Sequence, residues 1–367
     1  MFSREKIRIR FNLLLRNFLY HSIFWVASML FFVFLTGYDE VFSGLFRNVL
    51  VDQIQLKVLL SAISIAFLFT ISDLLFSDRI MRFAPIRLVL VLRSILYFSI
   101  GTTLLILSSH TIDALNKMHS IEELKHLLPK FEDGVLRFIV YFFLSCYLNT
   151  FLKEMVKKVG KGNFRNWVLG FMNKPREEER IFMFIDMKDS TTIAERFKHK
   201  KFSHLVQDVF NDMAIVDNYQ GQIYQYLGDG AIISWSVNKG LKNNNFLNAF
   251  FAFTELVEKR SRYYKRRYGL IPKFKAGLHI GKTMVLQVGR IRRDISYNGD
   301  ALNTTARIEG MCNTFKQNLL ISGNLFDIML QRDGFLFKNV ESVKLKGKRK
   351  ATEIYSVKKK KLVKRKE

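Results

Sequence analysis

The sequence predicts two parts built for different solvents, a membrane region of about four helices followed by a soluble domain in which strands and helices alternate. Three observations predict this. Apolar residues make up 49% of the 367 residues and include 35 Phe, an excess that falls largely in the first 155 residues. The same stretch holds four long apolar runs, each near the length of a bilayer crossing. Beyond it, short apolar segments of strand type are separated by Gly, Asp and Asn turn residues and by segments of helical period. A chain of this length allows two or three domains.

Each run is read in order. The first, about 18–37 (FLYHSIFWVASMLFFVFLTG), carries no Asp, Glu, Lys or Arg. It is longer than a signal-peptide apolar core, and no small-residue cleavage site follows. The second, about 58–76, is broken only by Asp73, which is expected at the headgroup level or against a neighbouring helix. The third, about 88–109, contains Arg93, expected to reach along the helix to the membrane surface. The fourth, about 135–152, includes Arg137 at its start and then FIVYFFLSCYLNTFL. Arg4, Lys6, Arg8, Arg10 and Arg16 precede the first run, and Lys153, Lys157, Lys158 and Lys161 follow the last. Basic residues favour the cytoplasmic side, so both termini are expected inside a multi-pass protein of the cell (inner) membrane. Residues 1–152 thus form a transmembrane domain, 153–178 a juxtamembrane linker, 179–357 a soluble domain and 358–367 a basic tail.

Charge and cysteine count narrow the function classes. The formal net charge of +26 fits basic segments facing anionic lipid, so a lipid bilayer is the expected partner and nucleic acid is not. The two cysteines, Cys146 and Cys312, lie far apart without a CxxC or Cys/His cluster, so neither a disulfide framework nor a structural zinc site is expected.

Within the soluble part, Ile181 to Ile185 reads as a buried strand that delivers Asp186 to its end. A helix follows, with Asp189, Ser190, Thr191 and Thr192 as capping types. An acidic strand end beside free helix N–H groups suits a metal-bound triphosphate, although Asp in this position also serves as a plain cap. Ile223 to Leu227 and Ala231 to Trp235 read as a hairpin joined at Gly228-Asp229-Gly230, where Asp-Gly favours a tight primed turn. Asp229 is therefore turn chemistry or a second carboxylate beside Asp186. Next, KFKAGLHIGKTMVLQVG reads as strand, glycine turn and strand around His279 and Gly281. Ala301 to Met311 reads as a helix with Asn303 and Arg307 on one face, and the last strand pair holds Lys344, Lys346 and Lys348 in its loop.

The ordered series FIDMKDST, YLGDG, AGLHIG, NGDALNTTAR and KLKGK resembles the catalytic domain of class III adenylyl and guanylyl cyclases, over about Glu179 to Val357. The resemblance implies a ferredoxin-like α/β fold with a mostly antiparallel central sheet and flanking helices, acting as a head-to-tail homodimer. It implies two divalent metal ions, Mg2+ or Mn2+, held by Asp186, Asp229 and the Met187 carbonyl, with Lys188, Asp189, Ser190 and Thr191 as a phosphate-binding loop. Asn303 would orient the ribose, Arg307 would stabilise charge at the α-phosphate, and Lys346 would contact the triphosphate, the first two from the partner subunit. Gln225 and Ser296 fall at the base-reading positions, where adenylyl cyclases carry Lys with Asp or Thr and guanylyl cyclases carry Glu and Cys. Their hydrogen-bonding capacity admits adenine without excluding guanine. The implied activity is conversion of ATP to cyclic AMP and pyrophosphate in signal transduction, with guanylate cyclase or an inactive cyclase-like receptor module as alternatives. Asp189, where Gly is common, and Gly230, where an acid is common, depart from the family pattern without removing a ligand.

Overall fold

The computed structural model describes residues 2–36, 62–73, 85, 87–88, 90–99, 101, 132–159, 174–289, 294–343 and 351–360. They fall into two compact units, Met1–Phe164 and Arg165–Glu367.

The first unit contains α1 (Phe2–Thr36), α2 (Ala62–Asp73), α3 (Leu90–Ser99) and α4 (Glu132–Val159). Each overlaps one of the four apolar runs, of which 58–61 and 74–76 in the second and 89, 100 and 102–109 in the third lie outside the described residues. Their shared core is aromatic: Trp25 packs on Phe69 and Phe142 with ring centroids 5.0 and 5.1 Å away, and Phe69 packs on Tyr97 at 4.5 Å. Large apolar side chains also point outward, among them Ile23 at 71% exposure and Phe34 at 80%. Among the described residues, one helix, Arg137–Val156, is long and apolar enough to cross a membrane. Asp73 faces its neighbouring helices, as one of its two expected placements had it. Its carboxylate lies 2.9 Å from His21 of α1 and accepts from Tyr97 of α3 and Lys153 of α4. Arg93 differs from the expectation. It is 5% exposed and pairs with Glu154 of α4 at 3.0 Å instead of extending to a surface. A carboxylate on the adjacent helix neutralises the guanidinium where it stands.

In the second unit, β1 (Arg176–Met187), β2 (Gln222–Leu227), β3 (Gly230–Ser236), β4 (Phe274–Val288), β5 (Asp294–Asn298), β6 (Leu319–Ser322), β7 (Phe335–Val343) and β8 (Thr352–Lys359) form one sheet. The order is β2-β3-β1-β4-β6-β8-β7, with β5 paired to β4. Among the described residues only β4 and β6 run parallel; the other pairings are antiparallel. The central strand β1 is apolar at consecutive positions because both its faces are covered. Ile181, Met183 and Ile185 enter the core under α5 (Ser190–Met213) and α6 (Asn245–Lys259), joined by Tyr264 and Tyr268 of α7 (Ser261–Tyr268), while Phe182 packs with Ile232, Val285, Tyr297 and Ala301 on the other face.

Two strands are longer than their patterns suggest. Strand β1 begins at Arg176, five residues before the apolar run, because Arg176 to Arg180 pair with Gly281 to Val285 of β4. Lys282 and Glu177 add an ion pair at 2.8 Å across that pairing. For the same reason β4 runs unbroken through Gly281, where the sequence predicts a turn.

The helix α8 (Asp300–Thr314) lies across the sheet, burying Ala301, Thr304, Thr305, Ile308 and Cys312. It approaches so closely that a Cβ at Gly277 of β4 would stand 2.2 Å from the Glu309 nitrogen. Glycine at 277 therefore sets the depth of α8. Both cysteines, Cys146 and Cys312, are free and buried. Burial, then the neighbouring Glu309, pushes the Cys312 thiol up to about 12, and it donates to the Ala276 carbonyl at 3.3 Å.

Candidate active site

The site begins with two carboxylates at one end of neighbouring strands. Ile185 pairs with Ala231, so Asp186 at the end of β1 stands beside the β2–β3 turn that carries Asp229. The turn differs from the expected Asp-Gly form. Leu227 pairs with Gly230, its two central residues are Gly228 and Asp229, and the positive φ of 58° falls on Gly228. That shift keeps Gly230 in the strand, where a Cβ would lie 2.7 Å from the Ile185 carbonyl oxygen and 3.2 Å from Asp186 Oδ1. A side chain at 230 would have to push back the Ile185 carbonyl, so glycine lets β3 pass this close to the strand end that carries Asp186.

The electrostatics of the pair invite a cation. Burial, then the Asp229 charge, then Glu309, push the Asp186 carboxyl up to about 6, against the pull of Lys275. Asp229 Oδ2 is buried with no hydrogen-bond partner among the described residues. An orphaned anionic oxygen beside a carboxylate that resists ionisation is an unbalanced arrangement that a hard divalent ion would balance. Met187 is 1% exposed, so only its backbone could contribute. Among the described residues no three His, Cys, Asp or Glu side chains are grouped so as to hold a metal ion by themselves. The donor set is thus two carboxylates and a carbonyl, all oxygen, which fits Mg2+ or Mn2+ completed by water and phosphate oxygens.

Because the folded pKa of Asp186 is raised above its unfolded value, the folded chain binds that proton more tightly. Its ionisation therefore costs nothing below about pH 4 and the full amount above about pH 6. With metal chelated, Asp186→Asn is expected to melt a few degrees higher than the parent at pH 8 and equally at pH 4. The gain corresponds to about 1–2 kcal/mol once solvent screening of a carboxylate with a third of its side chain exposed is allowed for. Thermal unfolding at the two pH values checks it.

Two residues of the site carry no motif signal. Lys275 of β4 is the register partner of Asp186, and its ammonium lies 3.3 Å from Asp186 Oδ2 and 2.8 Å from Glu309 Oε1 of α8. Burial alone would lower the pKa of Lys275, but its two carboxylate neighbours raise it overall. A lysine set between Phe274 and the run Ala276–Leu278, in the buried first half of the strand, is the available clue.

The other predicted residues are distributed as follows. Asp189 occupies the position before α5 in left-handed backbone, φ 57°, and its side chain makes no capping bond. The expected cap is absent because that backbone turns the carboxylate away from the helix N–H groups. Lys188 donates to Asn318 Oδ1 at 2.6 Å, which ties the loop to the start of β6, while Ser190 is half-buried and Thr191 exposed. Gln225 is exposed on β2, and Ser296 on β5 donates to Asn298 Oδ1 at 2.8 Å. Their chain neighbours Tyr224 and Tyr297 pack edge to face with ring centroids 4.7 Å apart, so β2 and β5, which do not pair in the sheet, meet through these rings. His279 is buried, 2.8 Å from Ser322 Oγ, as part of the framework. Lys346 lies outside the described residues.

Asn303 and Arg307 sit on α8 away from Asp186. At about 100° per residue, Glu309 is displaced by roughly 160° from Arg307 and 120° from Asn303 around the helix axis. Glu309 is the side chain that meets Lys275 beside Asp186. The Asn303–Arg307 face is therefore turned from the side of the helix that meets Lys275 and Asp186.

Residues 172–359 match the family model of the adenylate and guanylate cyclase catalytic domain, and the chain belongs to that family. It is 34% identical over 176 residues to adenylate cyclase 2 of Rhizobium meliloti (strain 1021), covering 48% of each chain. With adenylate cyclase 1 of the same organism it is 25% identical over 253 residues, covering 67% of this chain and 35% of the relative. The chain thus spans about half or less of the length of these relatives. Among solved structures it is similar to the adenylyl cyclase CyaB from P. aeruginosa, with a TM-score of 0.45 and 18% identity over 52% of this chain and 98% of that one.

Proposed function

We propose that the chain is a membrane-anchored adenylate cyclase, which converts ATP to 3′,5′-cyclic AMP and pyrophosphate at sites shared between two copies, in signal transduction. The observation that carries the catalytic reading is the Asp186–Asp229 pair with its orphaned, buried oxygen. Adenine rather than guanine is supported by the two adenylate cyclases of Rhizobium meliloti that the chain resembles.

Two divalent cations at Asp186, Asp229 and the Met187 carbonyl would neutralise the triphosphate and acidify the ribose 3′-hydroxyl. The chain's own residues supply the rest. Asn303 orients the ribose, Arg307 balances the charge that grows on the α-phosphate as the 3′-oxygen attacks, and Lys346 holds the outgoing pyrophosphate. The 190–191 backbone and Lys188 cradle the phosphates. Gln225 and Ser296 hydrogen-bond the base edge. Because Asn303 and Arg307 face away from Asp186 of the same chain, a second copy in head-to-tail register completes each site.

The anchoring reading rests on the four apolar runs, the outward apolar side chains of the first unit and the apolar helix Arg137–Val156. It places the first unit in the inner membrane with both termini and the catalytic domain in the cytoplasm.

The test uses the full chain in detergent with Mn2+ or Mg2+ and either ATP or GTP. Cyclic AMP and pyrophosphate in equal amounts from ATP are expected. Cyclic GMP as the main product would assign the other base, and absence of both products would overturn the enzyme reading. Replacing Gln225 with Glu and Ser296 with Cys is expected to shift the ATP to GTP preference by at least about tenfold toward GTP, measured as the ratio of kcat/KM values.

A further inference from the structure

The Lys275 ammonium is 11% exposed and held between two carboxylates, Asp186 on β1 and Glu309 on α8. Next to a proposed divalent site such a charge is unfavourable, because it repels the ions that Asp186 is to hold. Its placement is nevertheless fixed by two features of the fold. The register of β1 and β4 sets Lys275 directly across from Asp186. The close approach of α8 over Gly277 sets Glu309 on the opposite side of the ammonium. Lys275 can therefore shift its contact from one carboxylate to the other without moving its backbone.

We infer that Lys275 and Glu309 form a counter-ion pair that sets the affinity of Asp186 for its divalent cation, with Lys275 as a positioning residue. In the metal-free site the ammonium shares itself between Asp186 and Glu309, which keeps the carboxylate oriented. When a cation takes Asp186, Glu309 retains the ammonium and no unpaired charge is left buried. The inference rests on the metal reading of Asp186 and Asp229 and adds a consequence that a plain structural brace would not have. Removing the positive charge strengthens cation binding, whereas removing the negative charge of Glu309 leaves the ammonium to Asp186 alone and weakens it.

The experiment is a Mn2+ titration of the full chain in detergent after chelation, with free aqueous ion counted by its electron paramagnetic resonance signal. Lys275→Met is expected to bind Mn2+ on the order of tenfold more tightly and Glu309→Gln on the order of tenfold more weakly. The double variant and Lys275→Arg are expected near the parent. Lys275→Gln serves the same purpose if the Met variant does not fold. Shifts of both single variants in the same direction, or no shift in either, overturn the counter-ion pair while leaving the metal site standing. Failure of the parent chain to bind Mn2+ overturns the metal reading itself, and this inference with it.

Discussion

Replacing Asp186 by Ala is expected to lower cyclic AMP production by at least about a thousandfold with the fold intact, because a loss of roughly 4 kcal/mol in transition-state stabilisation is what removing a shared metal ligand entails. The folded state should survive. Asp186 sits at the strand end with a third of its side chain exposed, and its ionisation costs the metal-free fold rather than supporting it. Circular dichroism and melting of the same preparation separate lost chemistry from lost structure. Substantial turnover by a well-folded Asp186→Ala chain would show that the carboxylate pair is not the reaction centre. Asp229→Ala is expected to behave alike, since the buried Asp229 Oδ2 has no other partner among the described residues.

The second large effect is a rescue. Asp186→Ala and Arg307→Ala are each expected to be inactive alone, and equal mixtures of the two are expected to recover about a quarter of parental activity. Half of randomly paired dimers are heterodimers, and each of those holds one intact site of two. The geometric basis is the roughly 160° that separates Arg307 from Glu309 around α8, with Glu309 on the side of its own chain's Asp186. Co-expression with two affinity tags, followed by sequential purification, isolates the heterodimer. An inactive heterodimer would place both residues in one chain's site.

Local pattern made much of this legible. Five consecutive apolar residues ending in Asp186 have one economical reading, a strand buried on both faces that exposes its last residue. The helix carrying Asn303 and Arg307 was equally plain, and its observed bounds, Asp300–Thr314, extend the expected stretch by one residue at the start and three at the end. The hairpin is legible too, but the turn Gly228-Asp229-Gly230 that the pattern suggests is one residue longer than the observed one, because Gly230 pairs with Leu227 and belongs to the strand. Strand β1 was read short for a related reason. The Arg176 to Arg180 stretch has no apolar alternation, and it is strand only because β4 is long enough to pair with it.

What the sequence determined alone was therefore everything carried by short-range periodicity: the apolar runs, the strand ending in Asp186, the two-strand turn with Asp229 and the helix face of Asn303 and Arg307. Tertiary structure decided which charges meet. Arg93 was drawn to Glu154 by a helix 61 positions away in the chain, and Lys275 was brought between Asp186 and Glu309 by strand register and by the depth that Gly277 permits to α8. Periodicity reports which face of an element is buried, because burial repeats every two or three to four residues. It carries no record of which distant element covers that face, and ion pairs between elements depend on that alone.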